Sequence, residues 1–356
     1  MKLVNLFYIL TGFTLAITAV ARETKRCTPT KALEVELGID HRDSFHSPVF
    51  MDIYVCDTKT SHRYKLKKHK KRKVPLIIII CGGILKKEAY ETFARGMVEK
   101  GYIIAVLDHP VQFGLSINNF ATPVDISNAL SYIEDAMIEY QEADEEYNLF
   151  SAVDLNKVVL LGHSFGFSTV LNAINEQCTP PFCQFGTKVP FHQGVILTAG
   201  FGGSLVMFQS ISGESTSYFH DNLNNLDVPA GLFYGDKDKT VMFEFGREKE
   251  NGLVGMFSRM MPTTVSVVIK GLDHFSIVEE FPEWHPDMNS TVSMVSSLPR
   301  SDQLVTVVHV LDKWIKDNIS RKKATNNFCE ALSRESKRSR VLKLRGVLKS
   351  TGEVSK

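Results

Sequence analysis

The sequence predicts an α/β domain built on a mostly parallel central sheet with helices on both faces. Three observations carry that expectation. From Val74 onward, strand-like and helix-like segments alternate, the pattern of parallel strands joined by right-handed crossovers. Two of the strand-like segments, VPLIIII at 74–80 and YIIAVLD at 102–108, are continuous apolar runs, as strands buried on both faces require. Between an apolar run ending at Leu161 and a helix-like stretch from Phe165 stands GHSFG, two glycines flanking a serine where strand gives way to helix.

The elements follow in order. Residues 1–21 read as a cleaved signal peptide: Lys2, an interrupted apolar run from Leu3 to Val20, and the small-x-small site Ala19-Val20-Ala21. The run approaches the ~20 residues that span a bilayer, so an N-terminal membrane anchor is the alternative. Either way the chain is expected to enter the secretory pathway, and cleavage implies secretion. The domain then covers 22–320. Residues 32–38 and 49–55 read as strands by their apolar alternation. HRYKLKKHKKRK at 62–73 is a solvated basic loop, open to weak contact with an anionic surface, to cleavage as a convertase site, or to serving as a charged connection alone. After the run at 74–80, residues 86–100 read as a helix stopped by Gly101, and 102–108 as a second buried strand. Thr122-Pro123-Val124-Asp125 is a helix start, with Ile126, Leu130, Ile133 and Met137 at helical spacing behind it.

Residues 157–162 are a third buried strand, with a helix from Phe165. Residues 194–198, 231–234 and 264–270 are three more strands. Leu304, Val307, Val308, Leu311 and Ile315 mark a final amphipathic helix. The stretch 201–227, rich in Gly, Ser and Asn, is a candidate lid or a plain surface connection. The tail 321–356 is basic, lacks a sustained apolar period, and is expected to be disordered and outside the domain.

Composition excludes some classes of function. With 41 Lys and Arg against 40 Asp and Glu, no global field points to nucleic acid. The His and Cys residues show no metal-ligand spacing, so neither a metal nor an organic cofactor is expected. Six cysteines follow the leader, and secretion would permit disulfides. Cys178 with Cys183 is the expected local pair, Cys27 with Cys56 a second candidate, and Cys81, at the end of an apolar strand, a buried free thiol. Asn289-Ser290-Thr291 and Asn318-Ile319-Ser320 are glycosylation sequons.

The chemistry gathers at the strand ends, where ligands bind in parallel sheets. In Gly162-His163-Ser164-Phe165-Gly166 the turn would be so tight that Cβ atoms beside Ser164 would clash, hence the glycines. Such a turn lifts the serine Oγ above the sheet, beside the N–H groups of a helix N-terminus. A serine nucleophile needs a base, and the base an orienting acid. FYGDKDKTV leaves the fifth buried strand with Asp236 and Asp238; IKGLDHFSI leaves the sixth with Asp273 and His274. His309 falls inside the last helix, and His285 is detached from any strand end, so His274 is the base. IIICGG leaves the first buried strand with Cys81, Gly82 and Gly83, where an oxyanion donor would sit.

Together these motifs resemble the α/β-hydrolase superfamily from Val74 to about Ser320, and within it the dienelactone hydrolase, platelet-activating-factor acetylhydrolase and cutinase-like group. The group's acid lies in Gly-x-x-Asp-x-x-Val, here Gly235 to Val241, which selects Asp238 over Asp236. The resemblance implies an α/β-hydrolase fold and a Ser164–Asp238–His274 triad. It also implies an oxyanion hole from the backbone N–H groups of Gly83 and Phe165, and hydrolysis of a carboxylic ester, lipid-like esters included. Acyl transfer, peptide-bond cleavage, or an inert secreted binding protein on the same fold are the alternatives. Two positions depart from the group: Cys81 replaces its usual histidine, and Phe167 its second glycine after the elbow, which puts the packing behind Ser164 and the width of the acyl pocket in question.

Overall fold

The computed structural model describes residues 28–37, 49–57, 73–83, 85–108, 123–142, 150–174, 194–202, 228–239, 265–279, 296, 298–319, 332, 334, 344–349 and 354–355. The leader, the basic loop up to residue 72, the candidate lid beyond Gly202, Cys27, Cys178, Cys183, Cys329, His285 and the Asn289 sequon lie outside them.

The strands are β1 (Thr28–Leu37), β2 (Val49–Asp57), β3 (Val74–Ile80), β4 (Ile103–Leu107), β5 (Val153–His163), β6 (Val195–Phe201), β7 (Ala230–Gly235), β8 (Val265–Ile269), β9 (Leu344–Lys349) and β10 (Val354–Ser355). The helices are α1 (Glu91–Glu99), α2 (Pro123–Glu142), α3 (Phe165–Ile174) and α4 (Arg300–Ile319). All ten strands form one sheet in the order β1-β2-β4-β3-β5-β6-β7-β8-β9-β10. β4, β3, β5, β6, β7 and β8 run parallel, while β2 meets β4 antiparallel and β1 meets β2 antiparallel. An antiparallel second strand, then a parallel run that crosses over at β3 and β4, is the α/β-hydrolase arrangement.

β3 shows why its sequence is apolar throughout. Leu76, Ile78 and Ile80 face a core shared with Ile126, Leu130 and Ile133 of α2 and Val170 and Leu171 of α3. Ile77, Ile79 and Cys81 face the opposite core, with Phe93 and Met97 of α1 and Val307, Leu311 and Trp314 of α4. Alternate side chains of a strand point to opposite faces, and here both faces are dry. Cys81 is a buried free thiol, and burial pushes its ionisation well above the ordinary thiol range. Cys56 is disulfide-bonded, and the proposed partner Cys27 lies outside the described residues.

Two segments differ from the sequence reading. The expected helix at 86–100 is a 3-10 turn over Lys87–Tyr90, with α-helix only from Glu91. That turn is tied down by charge: Lys87 Nζ lies 3.3 Å from the buried Asp52 carboxylate and 2.7 Å from Glu88. The tail expected to be disordered and outside the domain instead contributes β9, which pairs antiparallel with β8 from Val265↔Lys349 to Ile269↔Leu344. The run LRGVLK is short, and its basic residues hide the apolar pattern from a composition-based reading. β9 lies between β8 and the two-residue edge strand β10, so most of its backbone partners come from β8.

Candidate active site

Ser164 sits at the turn from β5 into α3, with φ of 51°. Among the described residues it is the one non-glycine in the left-handed region. Holding a side-chain-bearing residue there costs of order 1–3 kcal/mol. The surroundings enforce it. A Cβ on Gly162 would lie 2.3 Å from the Phe167 backbone, and one on Gly166 would lie 2.3 Å from Ile80 O. Both glycines are therefore sterically required. The Ser164 N–H donates to Phe201 O at 3.0 Å, and the Phe167 N–H to Ser164 O at 3.1 Å, so the turn is pinned to the end of β6. Phe165 opens α3, where backbone N–H groups point out of the helix end.

Asp238 lies just beyond β7 and His274 beyond β8, both almost fully buried. His274 Nδ1 lies 2.9 Å from Asp238 Oδ2. A carboxylate oxygen only accepts, so Nδ1 carries the proton and Nε2 is the ring's basic atom in the neutral form. The two loops are stitched together. The Asp236 N–H donates to Ile269 O at 3.0 Å and the Lys237 N–H to Leu272 O at 2.9 Å. A Cβ on Gly235 would fall 2.1 Å from Leu272 O. Asp236, the carboxylate not selected as the acid, has a loop role: its Oδ1 accepts the Gly271 N–H at 2.7 Å and holds the turn that leads to His274. Asp273 has a similar task. Its Oδ1 accepts from the Phe275 N–H at 2.9 Å and from Arg300 at 2.8 Å, fastening the histidine loop to the start of α4.

Gly83 follows the end of β3 and is half-buried, beside the elbow's neighbour strand. His309 lies within α4, as expected.

The sequence reading missed three contributors. Gly202, just past β6, has φ of +59°, and a Cβ there would lie 2.8 Å from His274 Nδ1 and 3.1 Å from Asp238 Oδ2. His163, the variable residue of the elbow motif, is fully buried. Its ring centroid lies 5.1 Å from that of His274. Tyr90 is fully buried against it, with its hydroxyl 2.7 Å from His163 Nδ1. Gly202 had a signal, a glycine one residue beyond an apolar strand. Tyr90 had none, since it belongs to a turn distant in sequence.

The question raised by Phe167 has a steric answer. The ring is 1% exposed and belongs to the core on the α2–α3 face. A Cβ on Gly200 would lie 2.7 Å from that ring. Gly200 on β6 thus leaves the room that the ring occupies. Phe167 fills the helix–sheet interface.

A dienelactone hydrolase from Anabaena variabilis is among the solved structures similar to this chain, at 11% identity and a TM-score of 0.46, over 81% of this chain and 98% of that one. No family model and no curated protein matches the chain.

Proposed function

We propose that this protein is a serine hydrolase that cleaves a carboxylic ester through an acyl-enzyme. The observation that carries the reading is the strained Ser164, held at φ 51° between two glycines that admit no side chain, on the same strand-end edge as a buried His274–Asp238 pair. Strain of this kind persists only where the surroundings over-determine it.

His274 Nε2 takes the proton of Ser164 Oγ as the oxygen bonds to the ester carbonyl carbon. The carbonyl π electrons move to oxygen, which the N–H groups of Gly83 and Phe165 receive. Each such donor is worth on the order of 10²–10³ in rate. The tetrahedral centre collapses, the C–O bond to the alcohol breaks, and imidazolium returns the proton to the leaving oxygen. Water repeats the sequence and frees the acid and Ser164. Asp238 holds the tautomer throughout and stabilises the imidazolium. Ester hydrolysis consumes water alone, and the reading needs no metal or organic cofactor. Lipid-like esters are the proposed range, and the route into the secretory pathway is proposed with it.

The test is a fluorophosphonate probe with peptide mapping, run beside p-nitrophenyl esters of increasing acyl length. Labelling at Ser164, lost in Ser164→Ala together with ester turnover, is the expected result. An unlabelled, inactive wild type would leave a binding protein on a hydrolase fold.

A further inference from the structure

One buried hydrogen-bond chain crosses the site and touches none of the proposed reacting atoms. It begins at the loop after β3, where the Gly82 N–H donates to Tyr90 Oη at 2.7 Å. Tyr90 Oη lies 2.7 Å from His163 Nδ1, and His163 Nε2 lies 2.9 Å from the backbone carbonyl of His274. The direction of each bond follows from chemistry. A carbonyl oxygen only accepts, so Nε2 carries the hydrogen. In the neutral ring Nδ1 is then a lone pair, and the Tyr90 hydroxyl must donate to it. That leaves the tyrosine oxygen to accept from Gly82. Every donor in the chain has its acceptor, and Tyr90 and His163 are both fully buried. Burial also pushes the Tyr90 ionisation well above its ordinary range, so the hydroxyl stays a donor.

The anchor points decide what the chain does. Gly82 precedes Gly83, the proposed oxyanion donor from the first buried strand. His163 precedes Ser164. The His274 carbonyl belongs to the proposed base. Three segments separated by about eighty and about one hundred and ten residues of chain meet on two side chains. Gly82 is shaped for it: a Cβ there would lie 2.6 Å from His163 Nδ1. The turn bearing Tyr90 is fastened independently. Lys87 is held by Asp52, the Glu279 N–H donates to Ala89 O at 3.0 Å, and the Thr92 N–H donates to the Glu279 carboxylate, again joining this turn to the histidine segment.

We infer that Tyr90 and His163 are positioning residues, a buried brace that fixes the oxyanion loop, the elbow and the His274 backbone relative to one another. The inference rests on the serine-hydrolase reading of the site. Tyr90→Phe keeps the ring and removes the two hydrogen bonds of Oη. It leaves the Gly82 N–H without its acceptor and His163 Nδ1 without its donor. The expected result is a fall in kcat of roughly 10–100-fold on a p-nitrophenyl ester. That is smaller than deletion of an oxyanion donor, since the donors remain but lose their placement. KM should stay within about 2-fold, because substrate binding before attack does not use the oxyanion hole. Inhibition by phenylboronic acid, whose adduct with Ser164 is tetrahedral, should weaken in parallel with kcat. His163→Asn, which cannot reach the His274 carbonyl, should show the same kcat pattern. The double variant should lose less than the product of the single losses, because both break one chain. Hydrogen–deuterium exchange should quicken at 81–83 and 272–275 in Tyr90→Phe.

A folded Tyr90→Phe with unchanged kcat, unchanged boronic acid affinity and unchanged exchange in those segments overturns the brace, whatever its thermal stability. If Tyr90→Phe does not fold, His163→Asn carries the same readouts and the same refutation. A wild type that neither turns over ester nor takes a fluorophosphonate overturns the serine-hydrolase reading itself and the positioning role with it, and that outcome is distinct from an active wild type beside an equally active Tyr90→Phe.

Discussion

Replacing Gly202 with alanine isolates the His274–Asp238 pair without touching either residue. At φ of +59°, alanine costs roughly 1–2 kcal/mol for the left-handed backbone alone. Its Cβ would lie 2.8 Å from His274 Nδ1 and 3.1 Å from Asp238 Oδ2. Carbon contacts are comfortable near 3.5 Å, so one or both side chains must retreat by about 0.7 Å. The pair is joined at 2.9 Å, and a retreat of that size carries it past the ~3.2 Å reach of a good hydrogen bond. Misplacing a reacting group by about 1 Å is worth on the order of 10² in rate, and losing the orienting carboxylate outright is worth roughly 10⁴. We therefore expect kcat for a p-nitrophenyl ester to fall at least about 10²-fold, with a stability loss of roughly 1–3 kcal/mol by urea titration. Gly101→Ala is the control. Gly101 has φ of +96° and nothing within 4 Å of a built Cβ, so it carries backbone strain without the contact and should leave kcat unchanged. A Gly202→Ala enzyme within about 2-fold of wild type would refute the steric argument, as would an equal loss in the Gly101 control.

Other changes should separate neighbouring roles. Ser164→Ala and His274→Ala should each lower kcat about as far as both together, because triad members act as a unit; a multiplicative loss in steady-state kinetics would count against the triad. Asp238→Asn should lower kcat by roughly 10⁴, whereas Asp236→Asn, which weakens only the bond to Gly271 N–H, should act mainly on thermal stability. Phe167→Gly should lower stability by about 3–5 kcal/mol with acyl-length preference unchanged, since the ring fills a core gap; a stable variant with shifted preference on an ester series would contradict that. The fully buried Cys81 ionises less readily folded than unfolded, where the thiol value is near 9, so its contribution to stability is present below about pH 9 and is lost as pH rises further; chemical denaturation at stepped alkaline pH, compared with Cys81→Ala, measures it.

Much of the sheet was legible because burial on two faces leaves its mark on every residue of a strand. Val74–Ile80 has the predicted bounds, and the other parallel strands fall within a few residues of theirs. The candidate residues were legible for a different reason: a parallel sheet delivers its strand ends to one edge, so Asp238 and His274 could be assigned to that edge without knowing the strand order. Their contact at 2.9 Å depends on β7 and β8 being neighbours, which periodicity does not encode. β9 was missed because its six residues carry three basic or glycine positions, and its pairing with β8 and β10 is set by sheet order, which periodicity does not encode. The turn at Lys87–Tyr90 was read as helix because Lys87, Glu88 and Ala89 are good helix formers, while the ion pair of Lys87 with Asp52 holds the segment down.

Phe167 shows where one-dimensional reading stops. By sequence alone, a bulky residue at the position of the second glycine in the group that the motifs resemble puts two things in question, the packing behind the elbow and the width of the acyl pocket. The structure gives the ring its room at Gly200. Gly200 on β6 pairs with Gly162 on β5, so the two residues that make room for the elbow and for the ring sit side by side on adjacent strands. What is required is therefore a volume at a place, and any nearby backbone position facing that volume can supply it. The same holds for Gly202, which makes room for the His274–Asp238 pair from a strand that carries no proposed reacting side chain. A motif written as residues in a row records only the glycines that chain order brings next to the serine. The glycines contributed by neighbouring strands are equally strict in their sterics, and the sheet order is needed to see which atoms they face.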